Sequence, residues 1–131
     1  MSLKNRIETT RFQEGSNKSE YGYMVYQDIF YGLNKLPLTF NLRFAIFNTD
    51  TYNARIYAYE SDMLYAFSIP AYYSNGTRFY FNVKYSITKN IDFWLRYSQT
   101  YYSDTDVISS GLSEIHGDTK SEIKAQLRIK L

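Results

Sequence analysis

The sequence predicts an all-β chain: an antiparallel up-and-down meander of about eight strands that forms a β-barrel or the closing strands of a larger barrel. Three observations lead there. Residues 121–131, S-E-I-K-A-Q-L-R-I-K-L, put Ile123, Ala125, Leu127, Ile129 and Leu131 on one parity and Glu122, Lys124, Gln126, Arg128 and Lys130 on the other. Successive side chains of a strand point to opposite faces, so this stretch has one apolar and one charged face, which a helix would scatter. The same rhythm recurs at 38–47 and again at 78–87. Composition agrees, since 19 % of residues are aromatic, with 15 Tyr, yet mean hydropathy is −0.45. Such a mixture suits a sheet with one apolar and one polar face better than a buried globule.

The elements follow in order. Leu3, Asn5, Ile7 and Thr9 alternate with Lys4, Arg6, Glu8 and Thr10 in a first strand, and 15–19 is a turn cluster. Residues 20–31 form the second strand, which Gly32 to Pro37 ends because proline cannot donate to a ladder. In 38–47, Leu38, Phe40, Leu42, Phe44 and Ile46 oppose Thr39, Asn41, Arg43 and Ala45. After a turn at 48–51, residues 52–60 read as a strand with Ala54, Ile56 and Ala58 against Arg55, Tyr57 and Tyr59. Ser61-Asp62 interrupts, and 63–73 reads as another strand in which Pro70 marks a bulge or an edge. Ser74-Asn75-Gly76 is a hairpin signal between two aromatic runs. Two further strands, 78–87 and 91–98, are joined by a Lys89-Asn90 turn, and a polar loop at 103–120 leads to the closing strand.

An even strand count, segments of about 10 residues and alternating apolar-out, polar-in faces make the pattern of a bacterial outer-membrane barrel. Counting back from a periplasmic C-terminus puts the 89–90, 61–62 and 32–37 turns on the periplasmic side. The 15–19, 48–51, 75–76 and 103–120 loops then fall outside, as the longer loops of such barrels do. The predicted location is the bacterial outer membrane. No run of about 18 apolar residues is present, so no transmembrane helix is expected. One domain spanning 1–131 is expected, either a barrel or a C-terminal barrel fragment. Met1-Ser2-Leu3 is not followed by an apolar export signal, so the chain reads as a mature product or a piece of a longer precursor.

The candidate lipid-facing residues are Leu42, Phe44, Phe81, Phe93, Leu95 and Leu127, which share the apolar parity. The candidate interior polar network is Arg43, Arg55, Lys84, Asp92, Arg96, Glu122 and Arg128. Charges in a narrow barrel must pair with one another, whereas in a wider barrel they line an aqueous lumen. The expected aromatic girdle has Tyr21, Tyr23, Tyr52, Tyr72, Tyr73, Tyr101 and Tyr102 on the outer side and Tyr31, Tyr65 and Tyr85 on the other. A stacking platform for carbohydrate or nucleic acid is the sharper reading of those rings. A net charge of +2, from 15 basic and 13 acidic residues, lacks the bias a nucleic-acid surface needs.

No enzyme signal is present: there is no Gly-rich phosphate loop, nucleophile triad or paired carboxylate, and no cofactor is implied. Without Cys there is neither a disulfide framework nor a Cys-based zinc site. His116, near Glu114 and Asp118, is the single histidine and reads as a solvated loop residue rather than a metal ligand.

The stretches P-L-T-F-N-L-R-F-A-I-F-N-T-D-T-Y-N-A-R-I-Y-A-Y-E (37–60), Y-A-F-S-I-P-A-Y-Y (65–73), N-I-D-F-W-L-R-Y-S-Q-T-Y-Y (90–102) and the closing strand carry a resemblance. They resemble the C-terminal β-barrel region of large helix-hairpin-helix-containing outer-membrane proteins of Gram-negative bacteria. That resemblance covers most of this chain but only the tail of such a protein, and it implies no catalytic residues. Leu131 stands where outer-membrane barrels commonly end in an aromatic residue. The expected role is therefore a structural or transport-related outer-membrane barrel without catalysis. Its expected partners are the lipid bilayer or detergent, the barrel-assembly machinery, and other copies through open sheet edges. The alternative is a soluble barrel or sandwich that binds an apolar small ligand, with the Phe/Leu/Ile parity turned inward.

Overall fold

The period-two alternation makes six long strands, and the six make one sheet. A computed structural model describes the whole chain, residues 1–131. Its strands are β1 (Ser2–Phe12), β2 (Glu20–Gly32), β3 (Leu38–Thr49), β4 (Ile56–Tyr57), β5 (Ala71–Tyr72), β6 (Asn75–Thr88), β7 (Ile91–Tyr102), β8 (Val107–Ile108), β9 (Ile115–His116) and β10 (Thr119–Ile129). The large sheet is an antiparallel meander in the order β1-β2-β3-β6-β7-β10. The only helical elements are two short 3-10 turns, Tyr52–Ala54 and Gly111–Ser113.

Six strands in the sheet, not eight, is the first correction. Residues 52–60 and 63–73 do not enter the sheet. They fold back on each other as a narrow ribbon, pairing Ile56 with Tyr72, Tyr57 with Ala71 and Glu60 with Ser68. The alternation in 52–60 is real, but Ala54, Ile56 and Ala58 are buried against the sheet. Small side chains on that side let the ribbon lie close to the strands beneath it. Pro70 has no N–H to offer and its carbonyl accepts from the Ala58 N–H at 3.5 Å. Ser61-Asp62 accordingly lies at the far end of the ribbon and is not a turn between strands of the sheet.

The second correction concerns Asn75-Gly76, which opens β6 instead of turning a hairpin. Ser74 takes the left-handed conformation, with φ 68°, while Gly76 keeps a negative φ. Gly76 is needed for close approach, because a Cβ there would collide with the backbone carbonyl of Tyr101. β3 and β6 therefore pair directly, Leu42 opposite Phe81 and Arg43 opposite Tyr80, across the whole excursion between them. The 103–120 loop likewise contains its own small hairpin, β8 with β9.

The strands are staggered. A row drawn across the ladder from Ile7, the middle of β1, passes Val25, Ile46, Thr77 and Tyr101 and arrives at Thr119. Thr119 is the first residue of β10, whose middle is Lys124. The offset is thus about one residue per strand, about 3.3 Å against a strand spacing of about 4.8 Å, which corresponds to a tilt of about 35°. The sheet does not close on itself: β1 pairs only with β2 and β10 only with β7. No ladder joins 3–12 to 121–131, as closure of these strands into a barrel of their own would require, and both outer edges carry unpaired backbone groups.

Candidate functional site: the covered face of the sheet

Each strand sends its charged residues to one side. The covered parity holds Lys4, Arg6 and Glu8 of β1, Asp28 of β2, Arg43 of β3, Arg78 and Lys84 of β6, and Asp92 and Arg96 of β7. Lys120, Glu122, Lys124 and Arg128 of β10 lie in the same rows. Arg11, at the end of β1, is the one charged strand residue on the other face, where it bonds Ser19 and Gln13.

The ribbon covers this polar face. At the end nearer the long loops, the contact is apolar, with Met24, Tyr26, Ala45, Phe47 and Tyr102 of the sheet clustered with Ile56, Ala58 and Tyr72 of the ribbon. Phe47 meets the rings of Tyr72 and Tyr102 edge-on, at 5.4 and 6.0 Å. Further along, charge replaces hydrocarbon. Glu60 has no exposed surface and accepts from Arg78 Nε at 2.6 Å, Arg78 Nη2 at 2.8 Å and Arg96 Nη2 at 2.6 Å. The Tyr72 hydroxyl donates to the same carboxylate. Asp62 receives Lys124 Nζ at 3.1 Å and the Met63 N–H at 2.8 Å.

A buried charge is tolerated only when paired and hydrogen-bonded, and here each carboxylate meets that condition. Burial by itself would push the Glu60 carboxyl up. The bonds and charge of Arg78, with Tyr72 and Arg96, outweigh it and hold the group below its ordinary value. Burial likewise works against ionised Asp62, and the Met63 N–H, Lys124 and Arg96 reverse the balance.

Two more pairs sit in the sheet itself. Arg43 makes a two-pronged contact with Asp28, at 2.5 and 2.7 Å, and sends Nη1 to the Tyr59 carbonyl of the ribbon at 2.7 Å. Its guanidinium lies 3.9 Å from the Tyr26 ring centre. Arg128 binds Asp92, and Trp94 stands between Arg128 and Lys84, at 5.3 and 5.5 Å.

Most of the predicted interior residues are therefore gathered under or beside the ribbon. Arg43, Asp92 and Arg96 are buried, Arg128 and Lys84 are half-buried, and Glu122 lies at the β10 edge, 3.4 Å from Lys124. Arg55 is a correction. It turns away from the sheet, because its neighbours Ala54 and Ile56 take the inner side, and it stacks with Tyr52 and Tyr57 instead. Sequence reasoning missed Glu60 and Asp62 as network members. Reading 52–60 as a wall strand put Glu60 at a strand end and Asp62 in a turn. The surplus of Arg and Lys on the interior parity of the neighbouring strands was the signal that acids had to come from elsewhere.

The open face is the reverse. Phe44, Phe81, Leu95 and Leu127 are exposed there, Leu127 at 58 %, while Leu42 and Phe93 are half-buried on the same face. Tyr21, Tyr23 and Tyr101 occupy it near the long loops, and Tyr31 and Tyr85 near the short turns. The expected girdle loses Tyr72 and Tyr102 to the core, Tyr73 to packing against it, and Tyr52 and Tyr65 to the ribbon. His116 Nε2 lies 3.1 Å from Glu114 at the surface of the small hairpin, whereas Asp118 accepts from the Thr119 hydroxyl.

The chain matches no protein-family model, no curated protein and no solved structure. Its reading rests on its own geometry: an apolar face open to the surroundings and a charged face whose middle is covered by the chain's own ribbon.

Proposed function

We propose that this chain forms part of the wall of a bacterial outer-membrane β-barrel, in a structural or transport-related role, with segment 50–74 folded into the lumen. The observation that carries the reading is the segregation of charge. Among the six wall strands only Arg11 puts a charge on the open face, while that face exposes Phe44, Ile46, Phe81, Leu95 and Leu127. In water such a face is unfavourable at about 25 cal/mol per Å² of apolar surface, and in a bilayer that cost vanishes. Three further features support it. The stagger corresponds to the 35–45° tilt usual for barrel strands. The open-face tyrosines other than Tyr97 lie towards the two strand ends, as membrane interfaces favour. The turns at 33–37 and 89–90 are short, and all longer connections leave the opposite end of the sheet.

Closure of the wall then requires strands beyond these six, paired to the free edges of β1 and β10, because an open edge is intolerable in lipid. The resemblance of 37–60, 65–73, 90–102 and 121–131 to the barrel region of large helix-hairpin-helix outer-membrane proteins points to the same arrangement. The soluble alternative needs the Phe/Leu/Ile parity inside, around an apolar ligand, and gains no support from a face left open.

Reconstitution tests the proposal. The chain is expected to require detergent or lipid for solubility and to fractionate with outer membranes. Its strands are expected to resist protease in liposomes. A chain that is monomeric and folded in plain buffer, with Phe44 and Leu95 shielded from water, would overturn it.

A further inference from the structure

The ribbon has two sides, and only one is explained by contact with the sheet. On the other, Tyr57 and Tyr59 on the outgoing limb stand beside Phe67 and Ile69 on the return, with Tyr52 at one end and Tyr65 at the tip. All six are exposed, Tyr65 at 89 % and Phe67 at 77 %. The Tyr59 and Phe67 ring centres are 5.8 Å apart and inclined at 51°. Arg55 is held between Tyr52 and Tyr57, its guanidinium 4.4 and 5.4 Å from their ring centres. Its Nε donates to the Tyr57 hydroxyl at 2.7 Å, and no carboxylate pairs with it.

The row has a direction. The Ala54 carbonyl is held by Thr10 near the long loops, the Tyr59 carbonyl by Arg43 in mid-strand, and the Ser61 carbonyl by Asn82 and Arg96 nearer the short turns. Those partners sit on β1, β3, β6 and β7 in turn, so the rings descend obliquely, crossing the strands from Tyr52 towards Tyr65, and do not form a round patch. These rings also lie on the side away from the face assigned to lipid, so burial in the bilayer does not explain them.

We infer that this row is a track for a linear saccharide passing along or held within the lumen; the inference rests on the barrel-wall reading for its location. A pyranose ring presents a C–H face that stacks on an aromatic ring and a hydroxyl rim that bonds phenol and guanidinium groups. The track offers those two kinds of partner, rings with polar tips and one fixed Arg. A purely apolar ligand is bound by enclosure, and these rings are open. A nucleic-acid strand needs a basic groove along its backbone, and the row contains a single cation. Because the row is several rings long and elongated along the ribbon, it fits a chain of sugars better than a single one.

The test uses the full chain in detergent micelles, titrated calorimetrically with maltohexaose, cellohexaose and hexagalacturonate. At least one is expected to bind, and the double substitution Tyr57→Ala with Tyr59→Ala is expected to weaken it roughly tenfold or more. Neither ring packs into the core, so the variant should keep the wild-type circular dichroism. Arg55→Ala serves as a second variant that leaves both rings in place, and it is expected to weaken binding as well. Binding of none of the three saccharides, or unchanged affinity in both variants, overturns the track. Liposome insertion is measured in parallel. A chain that binds saccharide but never inserts overturns the barrel-wall reading and leaves the track standing.

Discussion

Glu60 and Arg96, 36 residues apart in sequence, share a 2.6 Å ion pair in which the carboxylate is wholly buried and the guanidinium residue 1 % exposed. The pair joins the ribbon to the fifth strand of the sheet. Arg78, on the neighbouring strand, grips the same carboxylate. One acid thus anchors the ribbon to two strands at once.

Removing that acid should free the ribbon without dissolving the sheet. Glu60→Leu leaves Arg78 and Arg96 facing each other with only Asp62, 3.8 Å from Arg96, as counter-charge, and breaking a buried pair on one side costs about 3–5 kcal/mol. Limited proteolysis in detergent should cut the variant between residues 61 and 67 far faster than the wild type. The wall strands should retain their circular dichroism. Equal resistance of the two proteins would mean that the apolar contacts of Ile56, Ala58 and Tyr72 hold the ribbon alone.

Acid should act in the same direction. The folded Glu60 carboxyl titrates below its ordinary value, so the folded state binds fewer protons than the unfolded chain. Its contribution is full above the unfolded value of about 4.3 and is lost as pH falls through the lower folded value. Asp62, also lowered, contributes with the same sign. Hydrogen exchange of the ribbon amides should therefore be unchanged between pH 8 and 6, after correction for intrinsic rate, and accelerate below pH 4. In Glu60→Gln the acid-dependent part should be reduced.

The two faces should respond oppositely to charge. Phe81→Arg puts a cation on the open face, where the cost in lipid is about 2–4 kcal/mol near the midplane. Lys84→Gln, three residues on and on the covered face, removes a half-buried cation beside Trp94 and should be close to neutral. The fraction folded in liposomes as urea is diluted measures both. Equal folding of the two variants would count against a lipid-facing surface.

Two glycines should resist substitution for steric reasons. A methyl group on Gly76 collides with the Tyr101 carbonyl, and one on Gly22 collides with the Ala54 carbonyl and lies 2.8 Å from Thr10 Oγ1. Overpacking of this kind costs about 1–3 kcal/mol. Gly76→Ala should loosen the β6–β7 ladder, whereas Gly22→Ala should displace the start of the ribbon. Amide exchange at Tyr102 and at Ala54 distinguishes the two effects. Gly15→Ala meets no atom, and only its left-handed φ of 59° opposes it.

The sequence by itself determined the class of fold, the identity of all six strands of the sheet and the parity of each. The reason is local: alternation of side chains is a property of an extended backbone and needs no partner to be read. Leu38, Phe40, Leu42, Phe44 and Ile46 fall on one side whatever pairs with them. The faces of Phe81, Leu95, Leu127, Arg43 and Arg96 followed from the same rule.

Only the tertiary structure decided which alternating segments belong to the large sheet. Residues 52–60 alternate as cleanly as a wall strand, yet they lie across the sheet. The choice depends on what their small residues meet, Met24, Tyr26, Ala45 and Phe47, and on acids that neutralise Arg78 and Arg96 from above. Neither is a property of the segment alone. Gly76 illustrates the same limit, since a glycine for a turn and a glycine for a close carbonyl are spelled alike. Pairing across 50–74, the ion pairs of Glu60 and the free edges of β1 and β10 are long-range contacts, and period-two reading carries no information about partners.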